Sequence, residues 1–228
     1  LFKSVFRYAS REYRIRNVLD GIVLPKKNKP EIAVMNKKQQ LRLEKYLDER
    51  PSVTSVGIAI SMYMGLRIGE VCALQWKEID LEKRVLTVSK TIQRVQCRTG
   101  SKQTKLIITE PKSESSKRTI PIPDCLLPLL RRFKDNGEVY VVSGRKKPVE
   151  PRTMQYRFAK ILHNADLPSF HYHSLRHLFA TRCVELGFDV KTLSEILGHS
   201  SVEVTLNRYI HSDMERKRTC MSLLSKCA

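Results

Sequence analysis

The segment from His173 to Tyr209 constrains this chain more than any other, because it sets ionisable side chains at helical spacings between turn signals. His173 and Arg176 lie three residues apart, so a helix would place both on one face. Leu197-Gly198-His199 follows, and its glycine predicts a helix end. Tyr209 comes ten residues after His199. A fold that gathers an arginine, two histidines and a tyrosine can hold a phosphodiester, neutralise its charge and attack it with a phenolic oxygen.

The strong positive charge of the chain indicates a polyanionic partner. Its 228 residues include 42 Lys and Arg against 23 Asp and Glu, a formal net charge of +19, and such a charge steers a protein toward nucleic acid. The six cysteines form no C-x-x-C pair, so we expect reduced thiols in a cytoplasm rather than a zinc ribbon or a disulfide framework. No apolar run is long enough to span a bilayer, and we therefore expect no membrane association.

Hydrophobic periodicity predicts a mainly α fold with a small antiparallel three-stranded sheet, an α+β class. Residues rich in Val, Ile and Thr predict the three strands at 84–95, 105–109 and 118–122. The spacing from Ser200 to Glu203 predicts a capping box for the helix that carries Tyr209. The other predicted helices cover residues 1–16, 36–49, 53–64, 67–74, 125–134, 152–164, 173–186, 190–197 and 213–226.

The segment 173–209, together with a short motif at residues 65–70, resembles the tyrosine recombinases, the integrase family of site-specific DNA strand-exchange enzymes. Gly65-Leu66-Arg67-Ile68-Gly69-Glu70 matches the box around the family's first catalytic arginine, and the segment 173–209 carries the second arginine, the histidines and the single tyrosine. The resemblance covers residue 31 to the C-terminus and is strongest toward phage and conjugative-transposon integrases. It implies a mainly α catalytic domain that cuts and rejoins duplex DNA through a 3′-phosphotyrosyl intermediate.

The resemblance also implies a role for each candidate residue. Tyr209 is the nucleophile, and Glu70 supports the site. Lys112 is the general acid that protonates the leaving 5′ oxygen, because residues 116–121 resemble the strand that follows the family's catalytic lysine. Lys105, Lys117 and Arg118 remain alternatives for that acid. The predicted catalytic residues are Arg67, Lys112, His173, Arg176, His199 and Tyr209.

Two prolines bracket three lysines at residues 25–30, a pattern typical of a semi-rigid basic linker. We expect residues 1–24 to be the last helix of a core DNA-binding domain whose earlier part lies outside this sequence. Residues 31–228 are then the catalytic domain, with a tail helix at 213–226. The predicted contacts to DNA phosphates are Lys26, Lys27, Lys29, Lys117 and Arg118.

The family resemblance implies assembly as well as chemistry. Double-stranded DNA is the expected partner, bound by a homotetramer that joins two DNA sites. The tail at 213–226 is expected to dock on a neighbouring protomer, although folding back on its own domain remains an alternative. Accessory DNA-bending or excision factors are possible further partners. A cytoplasmic, nucleoid-associated protein of bacterial or phage origin fits these expectations.

Other functions remain open from the residues alone. A type IB topoisomerase uses the same chemistry to relax supercoils, and a non-catalytic DNA-binding module would share the charge. A metal-dependent nuclease would need clustered carboxylates, which the sequence lacks. His173 and His177 lie four apart and could ligate zinc, but no third ligand is placed to complete the shell. We therefore expect no metal and no cofactor.

Overall fold

A computed structural model describes residues 2–16, 18–19, 22, 35–97, 104–110, 117–135, 137–199, 201–209, 218 and 222. The chain divides into two compact units, residues 1–32 and residues 33–228. The first unit contains helix α1, Phe2–Glu12, which is shorter than the helix expected at residues 1–16 and has no buried side chain. The three linker lysines, Lys112, Ser200 and all but two residues of the predicted tail lie outside the described residues.

In the second unit, capping residues set where the first helices begin and end. Helix α2, Lys37–Glu49, begins after Asn36, whose Oδ1 accepts from the backbone N–H of Gln39 at 2.9 Å while the Gln39 side chain accepts from the Asn36 N–H at 3.0 Å. This reciprocal pair satisfies two backbone donors that a helix start otherwise leaves without partners. Helix α3, Val53–Met64, ends at Gly65, and helix α4, Ile68–Ala73, follows at once.

Within the described ranges the strands form two small antiparallel sheets instead of the single three-stranded sheet predicted. One sheet has the strand order β1 (Ile79–Asp80), β2 (Val85–Val88) and β5 (Arg118–Pro121), and β3 (Thr91–Gln96) pairs with β4 (Thr104–Thr109) in the other. The predicted strand at 84–95 is therefore two strands, because the chain passes from one sheet to the other at Ser89-Lys90. The mainly α class with small antiparallel sheets is confirmed.

The remaining helices begin and end within a few residues of the predicted bounds. Helix α8, Val190–Leu197, begins after Asp189, whose side chain accepts from the Thr192 N–H at 2.8 Å, and it ends at Gly198. A 3₁₀ turn at Asp124–Leu126 precedes α5. These helices are α5 Leu127–Phe133, α6 Pro151–Asn164, α7 Ser174–Glu185, α8 Val190–Leu197 and α9 Val202–Tyr209.

Helix α3 is the centre of the core. It is buried nearly all round, with Val56, Ile58 and Ile60 fully excluded from solvent, and it packs against α4, α5, α6 and α7. Burial of each such side chain stabilises the fold by roughly 1.5–3 kcal/mol. A helix held on all sides gives a rigid support for the residues at its end, which include the box at 65–70.

Among the described helices, none combines the length and the apolar composition that crossing a membrane requires.

Candidate functional site

Two glycines end the helices that supply the site. Gly65 ends α3 and Gly198 ends α8, both with left-handed backbone angles of φ 69° and φ 64°. A Cβ at Gly65 would lie 2.5 Å from the ring of Phe179, and a Cβ at Gly198 would lie 2.9 Å from Nη1 of Arg118. Glycine is thus required at both ends by the backbone conformation and by close neighbours.

Three arginines converge on the C-terminal end of α8. The last carbonyls of a helix have no partner inside the helix and carry partial negative charge, so guanidinium groups stabilise them. We call this group of three guanidiniums on the carbonyls of residues 196–198 the arginine brace. Its bonds run from Arg118 Nε to Ile196 O at 2.6 Å, from Arg176 Nη2 to Leu197 O at 2.7 Å and from Arg67 Nη2 to Gly198 O at 3.0 Å.

Arg176 also connects the two helix ends. Its Nη1 donates to the carbonyl of Gly65 at 2.7 Å, and the residue is only 2% exposed. The side chain of Arg67 is 37% exposed. Both predicted catalytic arginines therefore lie at one place, with Arg176 beneath and Arg67 open to solvent.

Glu70 lies between two arginines of the brace. Its carboxylate is 3% exposed and accepts from Arg67 Nη1 at 2.8 Å and from Arg118 Nη2 at 3.0 Å. Burial by itself would raise the pKa of Glu70, but the hydrogen bonds and charge of Arg118, with the charge of Arg67, hold it below its ordinary value. Glu70 is therefore ionised at neutral pH and fixes both guanidiniums. The supporting role that the resemblance implies for Glu70 stays a prediction.

His199 links the brace to the helix of the predicted nucleophile. Its Nδ1 lies 2.8 Å from Oγ1 of Thr205, a fully buried residue on α9. Tyr209 is the last residue of α9, which packs on α7 and α8, and its side chain lies outside the described residues. Sequence reasoning did not identify Thr205, although it lies four residues before Tyr209, the spacing that puts two residues on one helical face.

His173 and His177 lie at the start of α7. His173 is exposed just before the helix, and its ring centroid is 4.7 Å from that of the buried His177, with the rings nearly perpendicular. Across the described ranges, no group of three or more His, Cys, Asp or Glu side chains is close enough to hold a metal ion.

Arg118, which the sequence suggested as a DNA contact, has its side chain inside the domain. Its side chain is 7% exposed, and its guanidinium is engaged with Glu70 and with the carbonyl of Ile196. These bonds make Arg118 a brace inside the domain. Lys117, directly before it, is exposed and stays a candidate contact.

Tyr172, which directly precedes His173, belongs to the core. Its Oη donates to the carbonyl of Gly57 at 3.0 Å and lies 2.9 Å from Oγ of Ser61. Burial raises the pKa of this phenol above its ordinary value. A neutral phenol that is hydrogen-bonded inside the core is unsuited to attack a phosphate.

The fold is a mainly α domain with small antiparallel sheets. The arginine brace and His199 lie at the C-terminal end of α8, beside helix α9, whose last residue is Tyr209. Sequence comparison gives the family. The model of the phage integrase family matches residues 33–216, and the chain therefore belongs to the phage integrase family. The resemblance to a tyrosine recombinase catalytic domain is confirmed.

Relatives of this chain carry recombination names. It is 30% identical to the "Tyrosine recombinase XerC-like" of Caldanaerobacter subterraneus subsp. tengcongensis, over 98% of this chain and 63% of that protein. It is 26% identical to the transposase from transposon Tn916 of Enterococcus faecalis, over 94% of this chain and 55% of that protein. The chain spans about half to two thirds of the length of the curated relatives it matches.

Solved structures show the same fold. The Tn1549 transposon integrase in complex with a circular intermediate DNA superposes with a TM-score of 0.77 at 26% identity, covering 97% of this chain and 76% of that one. The XerA recombinase gives a TM-score of 0.63 at 20% identity, covering 94% of this chain and 70% of that one, a likeness that shows the fold alone.

Proposed function

We propose that this chain is the catalytic part of a site-specific DNA recombinase, which cuts and rejoins duplex DNA. The observation that supports this most strongly is the arginine brace beside His199, which is itself bonded to the helix that ends in Tyr209. Guanidinium and imidazole groups held rigidly in this way stabilise negative charge that develops on phosphoryl oxygens.

In the proposed reaction, Tyr209 attacks the scissile phosphorus. A bond forms between its phenolic oxygen and phosphorus while the bond from phosphorus to the 5′ oxygen breaks, which leaves a 3′-phosphotyrosyl link and a 5′ hydroxyl. A free phenol has a pKa of about 10 and is a poor nucleophile at neutral pH. The positive charges of Arg67 and Arg176 lower the cost of forming the phenolate and of the pentacoordinate transition state.

Two proton transfers complete the step. The phenolic proton passes to His173, which is exposed at the start of α7, and Lys112 donates a proton to the leaving 5′ oxygen. His199 donates to a non-bridging oxygen. Glu70 acts on none of the reacting atoms and holds Arg67 in place.

Rejoining reverses these bonds. The 5′ hydroxyl of a second strand attacks the phosphotyrosine, the phosphorus–tyrosine bond breaks, and a new phosphodiester forms. The energy of the original bond is kept in the protein–DNA link, so this reversal needs no ATP. Relaxation by a type IB topoisomerase would use the same steps. Recombination is favoured because the relatives are named recombinases, integrases and a transposase.

The proposed substrate is double-stranded DNA, bound by four protomers that hold two sites. The net charge of +19 supports a duplex partner, and the Tn1549 integrase was solved in complex with DNA. The proposed phosphate contacts are Lys26, Lys27, Lys29 and Lys117. We further propose that residues 213–226 dock on a neighbouring protomer, and that accessory DNA-bending or excision factors assist.

A suicide substrate tests the chemistry. Nicked half-site DNA, cut close to its end, loses the short 5′ product and traps the covalent protein–DNA complex. The native chain should give this complex, Tyr209→Phe should give none while still binding DNA, and the control Tyr46→Phe should behave as the native chain. A covalent complex in Tyr209→Phe, or none in the native chain with any half-site, would overturn the proposal.

Deletion of residues 219–228 tests the assembly. The shortened chain should stay folded but assemble poorly on paired sites and recombine less, as measured by native gel and by product formation. Assembly and recombination equal to the full chain would rule out docking in trans. Unfolding would instead place the tail in its own core.

A further inference from the structure

We propose that Arg118 is a positioning residue that sets the junction between α8 and α9 for strand cleavage, a role that rests on the proposed function. Its Nε donates to the carbonyl of Ile196 at 2.6 Å. Its Nη1 and Nη2 donate to the two carboxylate oxygens of Glu70 at 3.2 and 3.0 Å. One planar group therefore ties strand β5 to helix α4 and to the end of helix α8.

The geometry requires arginine at this position. A guanidinium presents donors in a rigid fork, so it can bond a carboxylate on one side and a carbonyl on another. A lysine ammonium would keep the ion pair with Glu70 but has no fixed second donor for Ile196. Gly198 shapes the same contact, because a Cβ there would come within 2.9 Å of Nη1 and 3.1 Å of Cδ of Arg118.

The contact reaches the proposed catalytic groups through the backbone. Ile196 precedes His199 by three residues, and His199 bonds Thr205 on the helix that ends in Tyr209. Arg118 thus fixes the Ile196 carbonyl at the end of α8. The position of that helix end determines the positions of His199 and of the first residues of α9. A displacement of about 1 Å in such a support can lower a rate by about 10²-fold.

Three variants separate positioning from charge and folding. Arg118→Lys keeps the charge and loses the fork, and Arg118→Gln loses both. The control Arg42→Gln removes one charge from an exposed pair with Asp166, where the Nη2–Oδ2 distance is 2.6 Å. Single-turnover cleavage of the nicked half-site should slow by about 10²-fold in both Arg118 variants, with DNA affinity close to that of the control. The control should cleave as the native chain does.

A modified substrate separates positioning from general-acid catalysis. A sulfur atom in place of the bridging 5′ oxygen gives a thiolate leaving group, which departs without a proton. This substrate should restore cleavage in a variant of the general acid, such as Lys112→Ala, and should leave Arg118→Lys slow. Restoration of Arg118→Lys to the native rate would make Arg118 the acid and overturn the positioning role.

NMR of the histidine rings reports the surroundings of His199, at the junction between α8 and α9, in the absence of DNA. In ring-¹⁵N-labelled protein, Arg118→Lys should shift the signals of His199 and leave those of the exposed His171 in place. If the native chain gives no covalent complex, the proposed function fails while this measurement still reports the junction. Native cleavage rates with unchanged His199 signals in folded Arg118→Lys would overturn the positioning role. Unfolding of both Arg118 variants would make the residue purely structural and overturn it equally.

Discussion

Replacement of Glu70 by glutamine should destabilise the domain by about 3 kcal/mol, because it disrupts a buried network rather than a surface ion pair. The carboxylate is 3% exposed and accepts bonds of 2.8–3.2 Å from the Arg67 backbone N–H, from Arg67 Nη1 and from both terminal nitrogens of Arg118. Glutamine keeps the shape but offers one acceptor oxygen, and its NH₂ group faces other donors. It also removes the charge that neutralises two guanidiniums.

The size of this loss should depend on pH. The pKa of Glu70 is lower in the folded protein than the ordinary value of 4.5, because the two arginines outweigh the effect of burial. A carboxyl group of this kind stabilises the fold above its ordinary pKa, and the stabilisation is lost as pH falls through the folded value. The difference between native chain and variant should therefore be full at neutral pH and shrink progressively below pH 4.5.

Urea denaturation at several pH values measures this difference in the free energy of unfolding. In thermal denaturation, a loss of about 3 kcal/mol corresponds to a fall of roughly 6–12 °C in the midpoint. The matched control is Glu138→Gln, an exposed carboxylate 2.9 Å from Nζ of Lys77, which should leave the midpoint nearly unchanged. A loss no larger than that of the control, or one that persists unchanged into acid, would show that the contacts around Glu70 do not stabilise the fold.

Three further outcomes are expected. Tyr172→Phe should lower the free energy of unfolding by about 1–2 kcal/mol in urea denaturation, since it removes bonds to Ser61 and to the Gly57 carbonyl. The variant should still form the covalent complex, and loss of that complex would make Tyr172 a candidate nucleophile. Suicide-substrate cleavage should persist in excess EDTA, and a loss that Mg²⁺ or Zn²⁺ restores would contradict the arginine-based mechanism. DNA affinity, measured by fluorescence anisotropy, should fall steeply as salt is added. A plot of the logarithm of the association constant against the logarithm of salt concentration should have a slope of about −0.9 for each phosphate contacted, and a flat plot would contradict the phosphate contacts.

Local chemistry made much of the helical framework predictable. Asn36 satisfies the first donors of α2, and the glycines at 65 and 198 adopt the left-handed conformation that ends a helix. These signals depend on residues close in sequence, so they can be read without knowing the fold. The arginine and histidine motifs each occupy a short run of residues, and these runs carry the resemblance to the tyrosine recombinases.

The pairing of distant residues could not be read in this way. Residues 84–95 have strand composition throughout, and only their partners divide them between two sheets. Arg118 lies in a basic segment typical of DNA contacts, and nothing in that segment reveals that its partner is Glu70, 48 residues earlier. Burial and partner choice are set by tertiary packing, which composition and spacing do not encode for a single pair.

The arginine brace makes the box at residues 65–70 and the segment 173–209 depend on each other. Arg176 donates to the carbonyl of Gly65, in the first box, while Arg67 of that box donates to the carbonyl of Gly198, in the second. Each glycine therefore ends a helix, and its carbonyl accepts a hydrogen bond from the arginine of the other segment. Because these bonds share one cluster, changes in the two boxes should be non-additive, with coupling of about 0.5–3 kcal/mol in a double-mutant cycle. The reciprocal bonds make the ends of α3 and α8 a single structural unit, from which His199 and the helix of Tyr209 extend.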